Sequence, residues 1–156
     1  MENSFDLIKR KETAIQLFGS GMNCSQSVLL AFPDYLDGHG KMAVSIACGF
    51  GAGMGRLQST CGAVTGAYMV LGLYCGEKYG DNGERKEQSY RMIRSFNQQF
   101  VDKYGTTECR MLLNCDLTTE EGQARFRNEN LGKRVCENCI TDSVQFLSEQ
   151  IDNSAL

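Results

Sequence analysis

The sequence predicts an all-α fold, a single-domain bundle of six to eight helices around a central apolar helix at about residues 61–74. Three observations predict it. Apolar residues recur at helical spacing along most of the chain. No run alternates polar and apolar residues for long enough to build a sheet; residues 44–50 are the most strand-like stretch. The length of 156 residues, without internal repeat or composition break, suits one domain, here 1–156, with a real core.

Each element follows from its own pattern. Phe5, Leu7, Ile8, Ala14, Ile15, Leu17 and Phe18 mark an amphipathic first helix, stopped by Gly19-Ser20-Gly21. Asn23 caps a second helix through Cys24, Val28, Leu29, Leu30 and Phe32, broken near Pro33. A turn at Gly38-His39-Gly40 leads to a short helix from Met42 to Cys48, and Gly49 to Gly55 reads as a loop. Thr60 then caps a helix from about Cys61 to Tyr74 that is apolar all round and therefore buried. A long amphipathic helix runs from about Asn82 to Tyr104, ended by Gly105. Thr106 or Thr107 caps a short helix through Cys109, Leu112 and Leu113, and Thr118 or Thr119 caps another through Phe126. The last helix runs from about Lys133 to Ile151 on Val135, Cys139, Val144, Phe146 and Leu147.

Composition excludes several function classes. Net charge is −3 with acids and bases interspersed, so there is no basic footprint for nucleic acid. Lys9-Arg10-Lys11 is a wet helix face. The longest apolar run, Ala63 to Tyr74, falls short of the roughly 20 residues of a membrane span. The first residues lack a secretory pattern, and the chain is expected to be cytoplasmic. The glycine loop does not match a dinucleotide fingerprint: from Gly49, Gly51 or Gly53 the third required glycine is Met54, Arg56 or Gln58. His39 reads as a surface turn residue.

The unusual feature is eight cysteines against one histidine and no tryptophan. In a reducing compartment, thiols do not persist as structural disulfides, so these are buried filler, redox centres or metal ligands. Thr60 as cap would put Cys61 in the first turn of a helix, where unpaired N–H groups and the helix dipole stabilise a thiolate. Arg56 in the preceding loop would add positive charge. Gly62, Ala63 and Gly66 leave space beside that sulfur for a substrate, a cluster or another helix. The competing reading is close helix packing with Cys61 as filler. Cys61 and Cys75 lie at opposite ends of one helix, roughly 21 Å apart at 1.5 Å per residue, and cannot bond. Cys136-Glu137-Asn138-Cys139 is followed by Ile140 rather than His, which excludes c-type haem attachment there. Cys136 and Cys139 share a helix face at about 5–6 Å between Cβ atoms. A bond between them would be strained and easily reduced.

The segments Asn23-Cys24-Ser25-Gln26-Ser27-Val28-Leu29, Cys61-Gly62-Ala63-Val64-Thr65-Gly66, Cys109-Arg110-Met111-Leu112-Leu113 and Cys136 occur in this order. In that order and spacing the chain resembles the family of redox-active proteins named for the pattern C…GCAxxG…C…C, also written CGAxxG. Thr60-Cys61 stands where the longer pattern has Gly-Cys. The resemblance implies that Cys24, Cys61, Cys109 and Cys136 are the functional cysteines, with Cys139 the alternative for the last. A related domain occurs in split-Soret cytochromes, beside haem and an iron–sulfur centre.

Three functions compete at this point. In dithiol–disulfide exchange, Cys61 attacks and Cys24, Cys109 or Cys136 resolves, with a redox partner or small thiol as substrate. In electron transfer, Cys24, Cys61, Cys109 and Cys136, with Cys139 possible in the set, hold an iron–sulfur cluster or another thiolate-bound metal. In the third, the chain is a non-catalytic binding module. The small face at Gly62 and Gly66 would also serve a helix-mediated homodimer.

Overall fold

The computed structural model describes the backbone of residues 2–155 and the side chains of residues 6–155; Phe5, counted above as an apolar anchor, has its side chain outside the described residues. Among the described residues the fold is built on eight helices: α1 (Glu2–Gly19), α2 (Cys24–Leu30), α3 (Gly40–Ala47), α4 (Gly62–Lys78), α5 (Asn82–Tyr104), α6 (Cys109–Leu113), α7 (Glu120–Asn128) and α8 (Glu137–Ser154). Residues 44–50 are helical, not extended. Among the described residues there is no strand, only an isolated antiparallel bridge between Thr60 and Glu108.

Helix α4 is the centre of the bundle. Ala63, Val64, Ala67, Val70, Leu71 and Cys75 are fully buried, and α2, α5 and α8 pack around them. It continues past Tyr74 to Lys78, whose ammonium reaches the Ser154 carbonyl at the end of α8 at 2.7 Å. Phe96, Phe100 and Phe146 fill the space beside it, with Phe96 and Phe146 edge to face at 6.1 Å. Cys75 belongs to this packing, its sulfur 3.7 Å from Met92 Sδ. Arg10 ties α1 to the segment after α2, bonding Asp34 at 2.8 Å and the Ala31 carbonyl at 3.0 Å.

The approach of α2 to α4 depends on two glycines. Gly62 and Gly66 are one turn apart and face α2. A Cβ on Gly66 would lie 2.6 Å from the Ser25 carbonyl oxygen, and one on Gly62 would land on the Cys24 sulfur. This face is therefore taken up inside the chain, which removes the surface expected above to carry a homodimer. Helix α2 begins in a capping box: Asn23 accepts from the Gln26 N–H at 3.0 Å and Gln26 returns a bond to the Asn23 N–H at 2.9 Å. It ends at Leu30, two residues before Phe32.

Two of the expected caps are different residues. Cys61 itself, not Thr60, is the N-cap of α4, with extended backbone (φ −49°, ψ 135°), because Thr60 is held in the bridge to Glu108. Glu108, not Thr106 or Thr107, caps α6; the Thr106 hydroxyl instead accepts the Glu108 N–H at 3.0 Å. Thr119 does cap α7, accepting from Gly122 N–H at 2.9 Å, and Gly105 ends α5 at φ +77°.

The glycine loop folds into a left-handed turn. Residues 52–56 all have positive φ, from Ala52 at 54° to Arg56 at 65°, and Gln58 follows at 55°. Gly53 needs its missing side chain, since a Cβ there would meet the Gln58 backbone at 2.5 Å. At the other end of the chain, Gly132–Cys136 form a π turn that runs into α8 and so replaces the plain helix start expected at Lys133.

Gly66→Ala is expected to lower the unfolding free energy by about 1–3 kcal/mol through overpacking against Ser25. Gly72→Ala, on an open face of the same helix, is expected to raise it by about 0.5–1 kcal/mol. Urea denaturation followed by circular dichroism measures both, and equal effects at the two positions would contradict the packing account.

Candidate functional site

The structure brings Cys24, Cys61, Cys109 and Cys136 to the wall of one cavity of about 150 Å³, and adds Cys139. Each arrives on a different support. Cys24 is the first residue of α2, set against Gly62. Cys61 and Cys109 are placed by a short ladder: Cys61 N–H donates to the Thr107 carbonyl at 2.7 Å, and Cys109 N–H donates to the Ser59 carbonyl at 2.7 Å. Cys136 closes the π turn, a local widening common at functional sites, and Cys139 follows in the first turn of α8.

The remaining three cysteines lie elsewhere. Cys75 is core filler, Cys48 is exposed on the turn after α3, and Cys115 is half-buried behind Cys109. Arg56 is exposed on the left-handed turn and is not among the charges acting on Cys61, contrary to the expectation above.

One thiol of the five is favoured to ionise. The Cys139 thiol hydrogen-bonds to Cys61, and with the N–H groups of Ala63 and Val64 it holds the Cys61 pKa below its ordinary value against the cost of burial. Cys61 takes the N-cap position, one residue earlier than the sequence implied, which sets its sulfur beside the Ala63 and Val64 N–H groups of the first turn. Its neighbours are pushed the other way. Burial and then the Cys61 charge raise Cys24 to about 11 and Cys109 to about 12. Cys136 is raised by burial and by Cys24, Cys61 and Cys109. Cys139 is raised most of all, first by its bond to Cys61 and then by burial. The group therefore has one thiol, Cys61, favoured to ionise and four that are disfavoured.

Two supporting groups carry no signal in the sequence. Gln58, 2 % exposed, donates from Nε2 to the Cys115 carbonyl at 2.9 Å and accepts at Oε1 from the Leu117 N–H at 2.9 Å. It also bonds Cys109 and draws its pKa down. Read along the chain, it is one polar residue in a loop. Tyr104 donates its hydroxyl to Asp142, which also pairs with Lys103 at 2.6 Å; burial and then this bond push the phenol pKa up. Cys139 feels Asp142, so this trio lies close behind the Cys61–Cys139 pair.

Among the described residues, no three of His, Cys, Asp or Glu converge closely enough to hold a single metal ion. No helix is long and apolar enough to cross a membrane, over the same residues.

A family model with the description "Putative redox-active protein (C_GCAxxG_C_C)" matches residues 22–150, which include all five cavity cysteines. The chain belongs to the C_GCAxxG_C_C family. No curated protein and no solved structure matches it significantly. The matched span begins just before the Asn23 cap of α2 and ends in α8, so it takes in every element that delivers a sulfur to the cavity.

Cys139→Ala removes the donor that favours the Cys61 thiolate. The Cys61 pKa is expected to rise by about one to two units, since a hydrogen bond to a charged group is worth roughly 1.5–3 kcal/mol. Alkylation of Cys61 at neutral pH should slow about tenfold or more. Iodoacetamide rates measured against pH, with peptide mass spectrometry to assign the site, check this.

Proposed function

We propose that this C_GCAxxG_C_C protein performs thiol–disulfide exchange, with Cys61 as attacking thiolate and Cys139 as resolving thiol. The observation that carries the reading is the placement of Cys61, at the N-cap of α4, and Cys139, in the first turn of α8, on one apolar cavity wall, where their interaction favours ionisation of Cys61 and opposes that of Cys139. Cys61 attacks a substrate disulfide, forming a mixed disulfide and releasing one substrate thiolate. Cys139 then attacks the Cys61 sulfur. The Cys139 proton goes to the departing substrate sulfur, the protein is left with one disulfide, and the substrate is reduced by two electrons. The reverse sequence oxidises a dithiol. The expectation that Cys24, Cys109 or Cys136 resolves gives way here to Cys139, because Cys139 is the cysteine that Cys61 bonds. The other three supply like charge if they ionise, which keeps them protonated while Cys61 reacts.

Reduced protein treated with one equivalent of a small disulfide is expected to yield a Cys61–Cys139 bond, mapped by mass spectrometry of the digested protein without reduction. A bond from Cys61 to Cys24, Cys109 or Cys136 instead would remove Cys139 from its role.

A second reading is supported by the five sulfurs that face one cavity from four segments, a donor chemistry that suits an iron–sulfur cluster. Cys24, Cys61, Cys109 and Cys136 would hold it, with Cys139 available, and the cluster would supply one-electron transfer. The lack of three convergent ligands among the described residues argues against a single thiolate-bound ion but not against a larger centre. Anaerobic purification followed by iron and sulfide analysis separates the readings: stoichiometric iron and sulfide would favour the cluster, and colourless iron-free protein would favour exchange.

A further inference from the structure

The walls of the sulfur cavity restrict what can reach Cys61. Apart from the cysteines, they are made mostly of Phe18, Leu112, Leu113, Leu117, Phe126 and Val135. The one lining residue with a polar side chain, Asn23, has its polar atoms occupied. Its Nδ2 donates to the Cys48 carbonyl at 2.8 Å, and its Oδ1 accepts from the Gln26 N–H at 3.0 Å. No Lys, Arg, His, Asp or Glu is among the lining residues. A carboxylate entering this space would leave water and meet only the like charge of Cys61; an ammonium would meet only the Cys61 thiolate, whose charge is lost as the mixed disulfide forms, so each is left buried and unpaired, which is strongly unfavourable. The cavity is also small, about 150 Å³, a size at which an apolar void takes up a molecule like benzene.

We infer that the substrate of Cys61 is a small uncharged disulfide, and that disulfides carrying ionic groups near the reacting sulfur are turned away. This rests on the thiol-exchange reading and adds the substrate class. The Cys61 thiolate attacks one sulfur of the neutral disulfide; the protein–substrate S–S bond forms, the substrate S–S bond breaks, and a small alkyl thiolate leaves with the electron pair. Cys139 then attacks the Cys61 sulfur, closes the Cys61–Cys139 bond and gives its proton to the second substrate sulfur, which leaves as a neutral thiol. The first thiolate takes its proton from water on release, so neither product carries a fixed charge.

Methanethiosulfonates test this on the reduced protein, because one reactive group is available with different tails. The neutral methyl and hydroxyethyl reagents are compared with the anionic sulfonatoethyl and the cationic trimethylammonioethyl reagents. Each rate is normalised to that with a free thiol and assigned to individual cysteines by quenched peptide mass spectrometry. At Cys61, both neutral reagents are expected to react about tenfold or more faster than both charged ones. Exposed Cys48 is the internal control and should react with all four at similar normalised rates. A Cys61 that reacts rapidly with neutral and charged reagents alike would overturn the substrate class and leave the exchange reading standing. A Cys61 that reacts with the methyl reagent no faster than Cys48 would overturn the exchange reading, and this inference with it.

Discussion

The close approach of α2 to α4 is the constraint on which the rest of the site depends. It exists because Gly62 and Gly66 have no side chains where the Cys24 sulfur and the Ser25 backbone lie. Without that approach, Cys24 would stand a side chain's width further from Cys61, and the first wall of the cavity would be missing. The same contact fixes the loop before α4. The Asn23 side chain, locked in its capping box, packs on Gly51, where a Cβ would meet it at 2.5 Å. Thus one pair of small residues sets helix packing and sulfur placement together. The sequence of the Cys61-Gly62-Ala63 motif sets these two against each other as competing explanations; in the fold they are two consequences of one contact.

Electrostatics then divides the labour among sulfurs that are chemically alike. Five thiols on one apolar cavity cannot all ionise, because each charge raises the cost of the next. The first proton leaves where backbone N–H groups and a thiol donor are available, and Cys61 at the N-cap has both. Burial alone would have raised Cys61 like its neighbours. The hydrogen bond from Cys139 and the N–H groups of α4 reverse that direction, and the negative charge on Cys61 then suppresses ionisation of Cys24, Cys109 and Cys136. Reactivity here is a property of the group, set by which member occupies the helix start.

How much of this was legible in the chain follows the range of each interaction. Periodicity and local punctuation were readable: the buried α4, the amphipathic α5 with Gly105 at its end, the Asn23 cap and the stop after Gly19 all depend on residues within a turn or two. Contacts over longer range were not. Thr60 has the chemistry of a cap, but its bridge to Glu108 takes it out of that role and passes the position to Cys61. Cys139 sits in line with buried Ser143 and Phe146 and so looked like filler; only the arrival of α4 beside α8 makes it the partner of Cys61. Gln58 reaches Leu117, fifty-nine positions on, and nothing at its own place in the sequence announces that bond.

The left-handed turn at residues 52–58 shows what the fold spends to complete the cavity. Four non-glycine residues there, Ala52, Met54, Arg56 and Gln58, have positive φ. At about 1–2 kcal/mol each, the conformation costs roughly 4–8 kcal/mol, comparable to the net stability of a small domain. Such a conformation persists only where its surroundings over-determine it. Here Gly55 N–H bonds the Gly51 carbonyl at 2.9 Å, Ser59 N–H bonds the Gly53 carbonyl at 2.9 Å, and the buried Gln58 amide ties down Cys115 and Leu117. The result of the turn is positional. It carries Ala52 to the cavity wall, drives Gln58 inward against Cys109, and delivers residues 58–61 to the ladder that sets Cys61 and Cys109 side by side. A relaxed loop of the same length would not need Gly53 to lie on the Gln58 backbone, so the strain and the sulfur geometry have a common origin in this turn.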